Sequence, residues 1–201
     1  MKDRTIGLLG LQGAIEEHEA TVKEAGKNLG INIEIRQVLL PEDLDGLDGI
    51  IMPGGESTAM IKQGSKSGLL PALRDLLANG FPAFGTCAGA ILLAKRVKRN
   101  AESEIKEGAF PVLDMTILRN GYGRQKDSFS VPLHISKIET DLDAIFIRAP
   151  IIEEIGEELD VLASFDGHPV IVQKEKILAS TFHPELSGNT GIHQYFLKMI
   201  S

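Results

Sequence analysis

The sequence predicts an α/β fold: an open, mostly parallel twisted sheet with helices on both faces and antiparallel additions in the C-terminal half. Two observations carry this expectation. In the first half, short apolar runs alternate with amphipathic stretches at helical spacing, the rhythm of successive strand–helix–strand units. In the second half, apolar runs follow one another without long helices between them, which fits antiparallel neighbours better than crossovers. A chain of 201 residues, 43% hydrophobic and 24% charged, has the composition of an ordinary globular protein. With no internal repeat, low-complexity tract or linker, residues 1–201 are expected to form a single domain.

Residues 5–10 are short and apolar, end in the turn Leu11-Gln12-Gly13, and read as a buried strand. Ile15, His18, Val22, Ala25 and Leu29 then recur at helical spacing, with Glu16, Glu17, Lys23 and Glu24 on other faces, and Gly30 ends the helix. On that apolar stripe His18 reads as a partly buried structural histidine. Strands follow over 31–38 and 49–52, the second closed by Pro53-Gly54-Gly55. A helix is expected around 69–77, a short strand over 82–85 and a helix over 88–94. Lys95, Arg96, Lys98 and Arg99, followed at once by Glu102, Glu104 and Glu107, read as a solvated surface segment. Further strands are expected over 115–118, 129–134, 144–148, 161–165, 169–173 and 177–182, before a closing helix near 191–200.

Composition removes several function classes. With 21 basic against 28 acidic residues the net charge is −7, which disfavours nucleic-acid binding because such binding rests on neutralising phosphates. The apolar stretches fall far short of the ~20 residues that span a bilayer, and the N-terminus lacks the apolar core of a signal peptide. No membrane association and a cytoplasmic location are therefore expected. The one cysteine, Cys87, leaves no intramolecular disulfide and no Cys-x-x-Cys pair. The five histidines (His18, His134, His168, His183, His193) lack metal-ligand spacing, so no metal is expected. His134, His168 and His193 receive no role. Neither a Walker-type phosphate loop nor a dinucleotide fingerprint is present, and no cofactor is expected.

Gly85-Thr86-Cys87-Ala88-Gly89 fits a nucleophile elbow with cysteine in the serine position. So tight a strand-to-helix turn needs small residues two places either side. It would present the sulfur at the C-terminal edge of the sheet, facing a helix N-terminus that favours thiolate. Taken alone, the pentapeptide is equally compatible with a buried cysteine that begins a helix. His183-Pro184-Glu185 supplies the base such a nucleophile needs, since residues two apart in an extended segment face the same way. Taken alone, that tripeptide is a surface turn. Pro53-Gly54-Gly55-Glu56-Ser57 follows a strand, and its glycine N–H groups could face an oxyanion.

Together these motifs resemble the triad (class I) glutamine amidotransferases, and the finer pattern is similar to the branch formed by glutaminase subunits of pyridoxal 5′-phosphate synthase. The marks are Leu11-Gln12-Gly13-Ala14, Pro53-Gly-Gly-Glu-Ser-Thr58, Thr86-Cys-Ala-Gly89, Arg119-Asn-Gly-Tyr-Gly-Arg-Gln125, Phe146-Ile-Arg-Ala-Pro150 and Phe182-His-Pro-Glu-Leu186. The resemblance implies Cys87 as nucleophile, His183 as general base and acid, and Glu185 as its orienting carboxylate. It implies glutamine binding by Gly55, Glu56, Ser57, Arg119, Ile147 and Arg148, where an arginine fork suits an α-carboxylate. Backbone N–H groups at Gly54, Gly55 and Ala88 would serve the oxyanion, and Gln12 and Gly13 would meet a partner. That partner would be a separate synthase subunit in a large hetero-oligomer, to which ammonia from L-glutamine passes. The competing expectations are a glutaminase serving histidine or nucleotide synthesis, and a non-enzymatic regulatory module of the same fold.

Overall fold

The computed structural model describes residues 2–122, 128–138 and 140–200. In chain order its elements are β1 (Lys2–Leu9), α1 (Ile15–Leu29), β2 (Ile31–Val38), β3 (Gly49–Met52), α2 (Ser57–Ser67), α3 (Leu69–Ala78), β4 (Ala83–Thr86), α4 (Ala88–Leu93), β5 (Ala94–Lys98), β6 (Lys106–Glu107), β7 (Leu113–Leu118), β8 (Ser128–Ile135), β9 (Thr140–Ile147), β10 (Ile151–Ile155), β11 (Asp160–Phe165), β12 (His168–Lys174), β13 (Ile177–Ser180) and α5 (Gly191–Ile200).

Seven strands build the main sheet in the order β11-β12-β13-β4-β3-β1-β2. The pairs from β13 through β4, β3 and β1 to β2 are all parallel, and β12 and β11 add antiparallel strands beyond β13. The central strands are apolar on both sides because helices cover both faces. Ile6, Leu8, Ile51, Phe84 and Leu178 face a core shared with Val22 and Ala25 of α1 and with Ile192 and Phe196 of α5. The alternate residues Leu9, Ile50, Met52, Ala83 and Ala179 face the opposite core, against Met60 of α2, Leu69 and Leu73 of α3 and Leu92 of α4. Each fully buried Val, Leu, Ile, Met or Phe among them stabilises the fold by on the order of 2 kcal/mol, and a one-residue slip of a strand would turn its buried residues to the wrong face.

The α/β expectation holds, with corrections in the parts. Of the expected C-terminal strands, only those that became β11, β12 and β13 join the main sheet. The 115–118 run is β7, part of a four-stranded sheet ordered β10-β7-β5-β6, and the 129–134 and 144–148 runs form the separate hairpin β8–β9. β10 was not expected. The basic run is not simply a solvated segment: Lys95, Arg96 and Lys98 lie in β5, where Arg96 Nη1 meets Asp114 Oδ1 at 2.6 Å and Lys98 Nζ meets Glu153 Oε2 at 2.8 Å. Pairing with a carboxylate on the adjacent β7 and with one on β10, two strands away, lets charged residues occupy a sheet. The helix α2 is a further element that the hydrophobic pattern does not announce. It buries only Ser57, Met60 and Gly64, too narrow a stripe to register as amphipathic. Among the described residues no helix is long and apolar enough to cross a membrane.

Candidate active site

The topology brings the two halves of the candidate triad together. β4 and β13 are parallel neighbours with Thr86 opposite Ser180, so the chain leaves both strands at the same sheet edge. The Cys87 N–H donates to Ser180 O at 2.9 Å, locking the elbow onto β13. Cys87 itself has φ 50° and ψ −102°, the unfavourable backbone a nucleophile elbow requires. A Cβ on Gly85 would lie 2.6 Å from the Gly89 carbonyl carbon, and one on Gly89 would collide with Met52 O, which is why both positions are glycine. Beyond β13, the His183 N–H donates to Ile145 O at 2.8 Å, and Pro184–Leu186 forms a turn of 3-10 helix. This corrects the expectation of an extended segment, yet the side chains still meet: His183 Nδ1 and Glu185 Oε1 are 2.7 Å apart. The turn is not a surface one, because His183 is 8% exposed and Glu185 6%.

Burial disfavours a charged His183 ring, but hydrogen bonds to Cys87 and Glu185, and the charges on both, outweigh it and raise its pKa to about 10. Gly54 closes the cluster from the third side. A Cβ there would clash with His183 Cε1 and sit 3.4 Å from Cys87 Cβ, so only glycine lets the strand end pass this close. The chain at Gln12–Gly13 packs on the far side of the same segment, where a Cβ on Gly13 would strike the Gly54 carbonyl oxygen. Gln12 Oε1 accepts the Glu56 N–H at 3.2 Å.

The outer rim is more open. Glu56 is the N-cap of α2, its carboxylate accepting from Thr58 N at 3.1 Å and Ala59 N at 2.7 Å. Arg119 Nη2 donates to Glu56 Oε1 at 2.7 Å and Nη1 to Thr58 Oγ1 at 3.0 Å. Partial burial raises the Glu56 pKa, but these backbone and side-chain hydrogen bonds prevail and lower it. Ser57 is buried at the start of α2. Ile147 O lies 3.9 Å from Cys87 Sγ, and Arg148 follows with φ 47° and an exposed side chain. Ala88 opens α4, where first-turn N–H groups have no intrahelical acceptor. The Arg119 motif is described only in part, since its residues 123–125 lie outside the described residues.

A model of the SNO glutamine amidotransferase family matches residues 8–201. The chain belongs to this family. It is 45% identical over 194 residues to the pyridoxal 5′-phosphate synthase subunit PdxT of Korarchaeum cryptofilum, covering 96% of each chain. It is 44% identical over 196 residues to the protein of the same name from Corynebacterium jeikeium, covering 97% of this chain and 96% of that one. A solved structure described as a crystal structure of a glutamine amidotransferase superposes with TM-score 0.84 at 40% identity, covering 97% of this chain and 98% of that one. As a family member the chain has the sheet and elbow its sequence implied. What the sequence did not disclose lies behind the elbow. His18 and His193 are both completely buried; His18 meets Glu185 of the candidate triad from within the core, and His193 stands behind His18. His18 is therefore fully, not partly, buried. Its place on the apolar stripe of α1 was the one available signal.

Proposed function

We propose that this chain is the glutaminase subunit of a pyridoxal 5′-phosphate synthase. It hydrolyses the side-chain amide of L-glutamine through Cys87, His183 and Glu185, and passes the ammonia to a separate synthase subunit within a larger hetero-oligomer. The observation that carries the reading is the His183–Glu185 contact of 2.7 Å beside a cysteine on a strained elbow, in a chain whose near-full-length relatives bear the synthase subunit's name. Residues 1–201 act as one unit in this reading, and the net charge of −7 fits a cytoplasmic enzyme of small polar metabolites better than a nucleic-acid binder.

The chemistry follows from the geometry. The Cys87 thiolate, paired with the His183 imidazolium, attacks the amide carbon of glutamine and forms a tetrahedral oxyanion. N–H groups at Gly54–Gly55 and Ala88 stabilise that oxyanion. His183 gives its proton to the departing nitrogen, which leaves as ammonia, and a thioester remains on Cys87. The now neutral His183 takes a proton from water as the water attacks the thioester. Collapse of the second tetrahedral intermediate releases glutamate and restores the thiolate–imidazolium pair. Glu185 keeps the ring in the tautomer whose Nε2 faces the reaction. Glu56 and Arg119 offer one acceptor and one donor fork for the amino acid's own charges.

Glutamate release from L-glutamine, measured with and without a pyridoxal 5′-phosphate synthase partner subunit, tests the proposal. Release coupled to pyridoxal 5′-phosphate formation by the pair supports it. Failure of the mixture to turn over glutamine, or turnover that feeds only a histidine- or nucleotide-forming synthase, overturns it.

A further inference from the structure

We infer that His18 is a positioning residue for Glu185, its Nε2–H holding the second carboxylate oxygen while His193 holds its Nδ1. The inference rests on the triad reading above and concerns what keeps that triad aligned.

Glu185 is buried, and one oxygen alone is engaged by His183. Its Oε2 has no closed hydrogen bond among the described residues, and the group nearest to supplying one is His18 Nε2, at 3.4 Å. An unmatched lone-pair set on a buried carboxylate is destabilising, so a donor at this spot steadies the charged group. The contact is longer than a tight hydrogen bond, as catalytic contacts often are before substrate binds. His18 Nε2 also lies 3.2 Å from Thr86 Oγ1, and its Nδ1 lies 3.1 Å from His193 Nε2. The result is a line of groups running from the elbow into the core: Cys87, His183, Glu185, His18, His193.

Elementary hydrogen-bond accounting sets the direction of that line. Burial, then the neighbouring His193 and His183, push the His18 pKa well down, and burial lowers that of His193 to about 3, so each ring is neutral and carries one N–H. If His18 carried its proton on Nδ1, its bare Nε2 would point a lone pair at the Glu185 carboxylate. His193 would then accept on Nε2 and strand a buried N–H on Nδ1, which has no partner among the described residues. With the proton on His18 Nε2 both faults vanish. His193 Nε2–H donates to His18 Nδ1, His18 Nε2–H faces Glu185 Oε2 and Thr86 Oγ1, and the stranded atom is a mere acceptor. A neutral donor also suits the site better than a cation, since a charged His18 would compete with His183 for the carboxylate.

Packing explains why these rings hold their angles. His18 stands on α1 and His193 on α5, and both pack edge-on against Phe84 of β4, with ring centroids 6.5 and 5.6 Å away. The helices on one face of the sheet thus reach the reaction centre from behind.

Nitrogen-15 long-range NMR of the labelled chain reads the tautomer directly. The expected spectrum at about pH 7 has His18 neutral, protonated on Nε2 and bare on Nδ1; the opposite tautomer, or a charged His18, overturns the inference. Kinetics with saturating synthase partner give a second reading. His18→Leu should lower kcat roughly tenfold to a hundredfold with KM little changed, the range typical of groups that orient an active one. His18→Gln, which restores an N–H near the Nε2 position, should recover most of that loss. Equal losses in the two variants, or none in His18→Leu, would speak for packing alone and overturn it. A Cys87→Ala control keeps the two readings apart: activity there would sink the triad while leaving the tautomer result standing.

Discussion

Behind Cys87 and in front of it the site is built from different materials. Behind, Glu185 and His18 present side chains that are 0% exposed, carried by β13's exit turn and α1 and pinned against the core. In front, the Arg119 and Glu56 side chains are 27% and 52% exposed, carried by the β7 exit turn and the N-terminus of α2 and held by one another. The inner groups have no freedom to leave and need nothing from outside. The outer groups are solvated and paired with one another; in the proposed function the α-carboxylate of glutamine takes the Arg119 fork by displacing Glu56 or sharing it. In the proposed function, proton chemistry is thus assembled by folding, whereas the substrate and oxyanion side depends on what binds.

The strongest way to break this comparison is to remove the atom between the two sides. Cys87→Ala should abolish glutamine hydrolysis, a loss of about 10⁴-fold or more, while ammonia-driven cofactor synthesis by the partner continues. No other thiol exists to substitute. Glutamate release at the wild-type rate from Cys87→Ala would end the triad reading.

Within the inner side the expected order is His183 above Glu185. His183→Ala removes the group that moves protons in both half-reactions and should lower kcat by about 10²–10⁴. Glu185→Gln keeps the shape and an acceptor oxygen but removes the charge that supports the imidazolium, so its loss should be smaller. Steady-state rates of both variants decide, and a Glu185→Gln protein worse than His183→Ala would reverse the roles.

The same inner groups leave a signature on stability. His193 has a folded pKa of about 3 against an ordinary 6.5, and His18 is lowered as well, so the unfolded chain binds more protons than the folded one below about pH 6.5. Their contribution is present above that pH and is lost as the pH falls, at about 1.4 kcal/mol per unit for a single group. His183 has the opposite sign. Raised to about 10, it favours the folded state fully below 6.5 and loses that contribution as pH rises toward 10, so it adds nothing to the acid slope. Denaturant midpoints between about pH 5 and 6.5 should therefore fall with acidity in the wild type and fall less steeply in His193→Leu. Parallel slopes would mean that His193 is not buried neutral.

What could be read in advance follows the same division. The elbow was legible because a backbone at φ 50° with helix and strand pressed together tolerates few sequences, and Gly85 and Gly89 record that constraint locally. His183 and Glu185 were legible because two residues of sequence separate them, although their turn is helical and not extended. The His18–His193 pair was not, since 175 residues separate partners that only the packing of α1 on α5 brings together. α2 was hidden because its fold depends on the Glu56 cap and on the close fit of Gly64 near Leu70 and Leu11 more than on any stripe. β5 was hidden because its charges are matched across strands by Asp114 and Glu153, a compensation no local pattern contains. Which sheet each C-terminal strand would join was invisible for a related reason: alternation says that a strand has a buried face and is silent about its neighbour.

The smallest effect is expected at the outer edge, where Gln12 touches the segment proposed to carry the oxyanion donors. Gln12 Oε1 accepts the Glu56 N–H, and the adjoining Gly13 backbone lies against the Gly54 carbonyl. With that carbonyl turned toward Gly13, the Gly54–Gly55 peptide is oriented by the loop it rests on. A glycine pair can exchange carbonyl and N–H at low steric cost, so in the proposed function a partner that grips the Gln12–Gly13 loop can fix which of the two faces the developing oxyanion. This makes the peptide a two-state element biased by docking, and the bias is limited to the partner's preference for one state over the other. The isolated chain should therefore hydrolyse glutamine slowly and accelerate on addition of the synthase subunit. Gln12→Ala, which cuts the tie to Glu56 without touching Cys87 or His183, should leave the slow rate nearly unchanged and reduce the acceleration severalfold, equivalent to about 1 kcal/mol of coupling. Glutamate release at saturating glutamine, with the partner titrated from zero to excess, measures both ends. Equal rates at the two ends in the wild type would show that the outer side is as complete on folding as the inner one, and the contrast between them would fall.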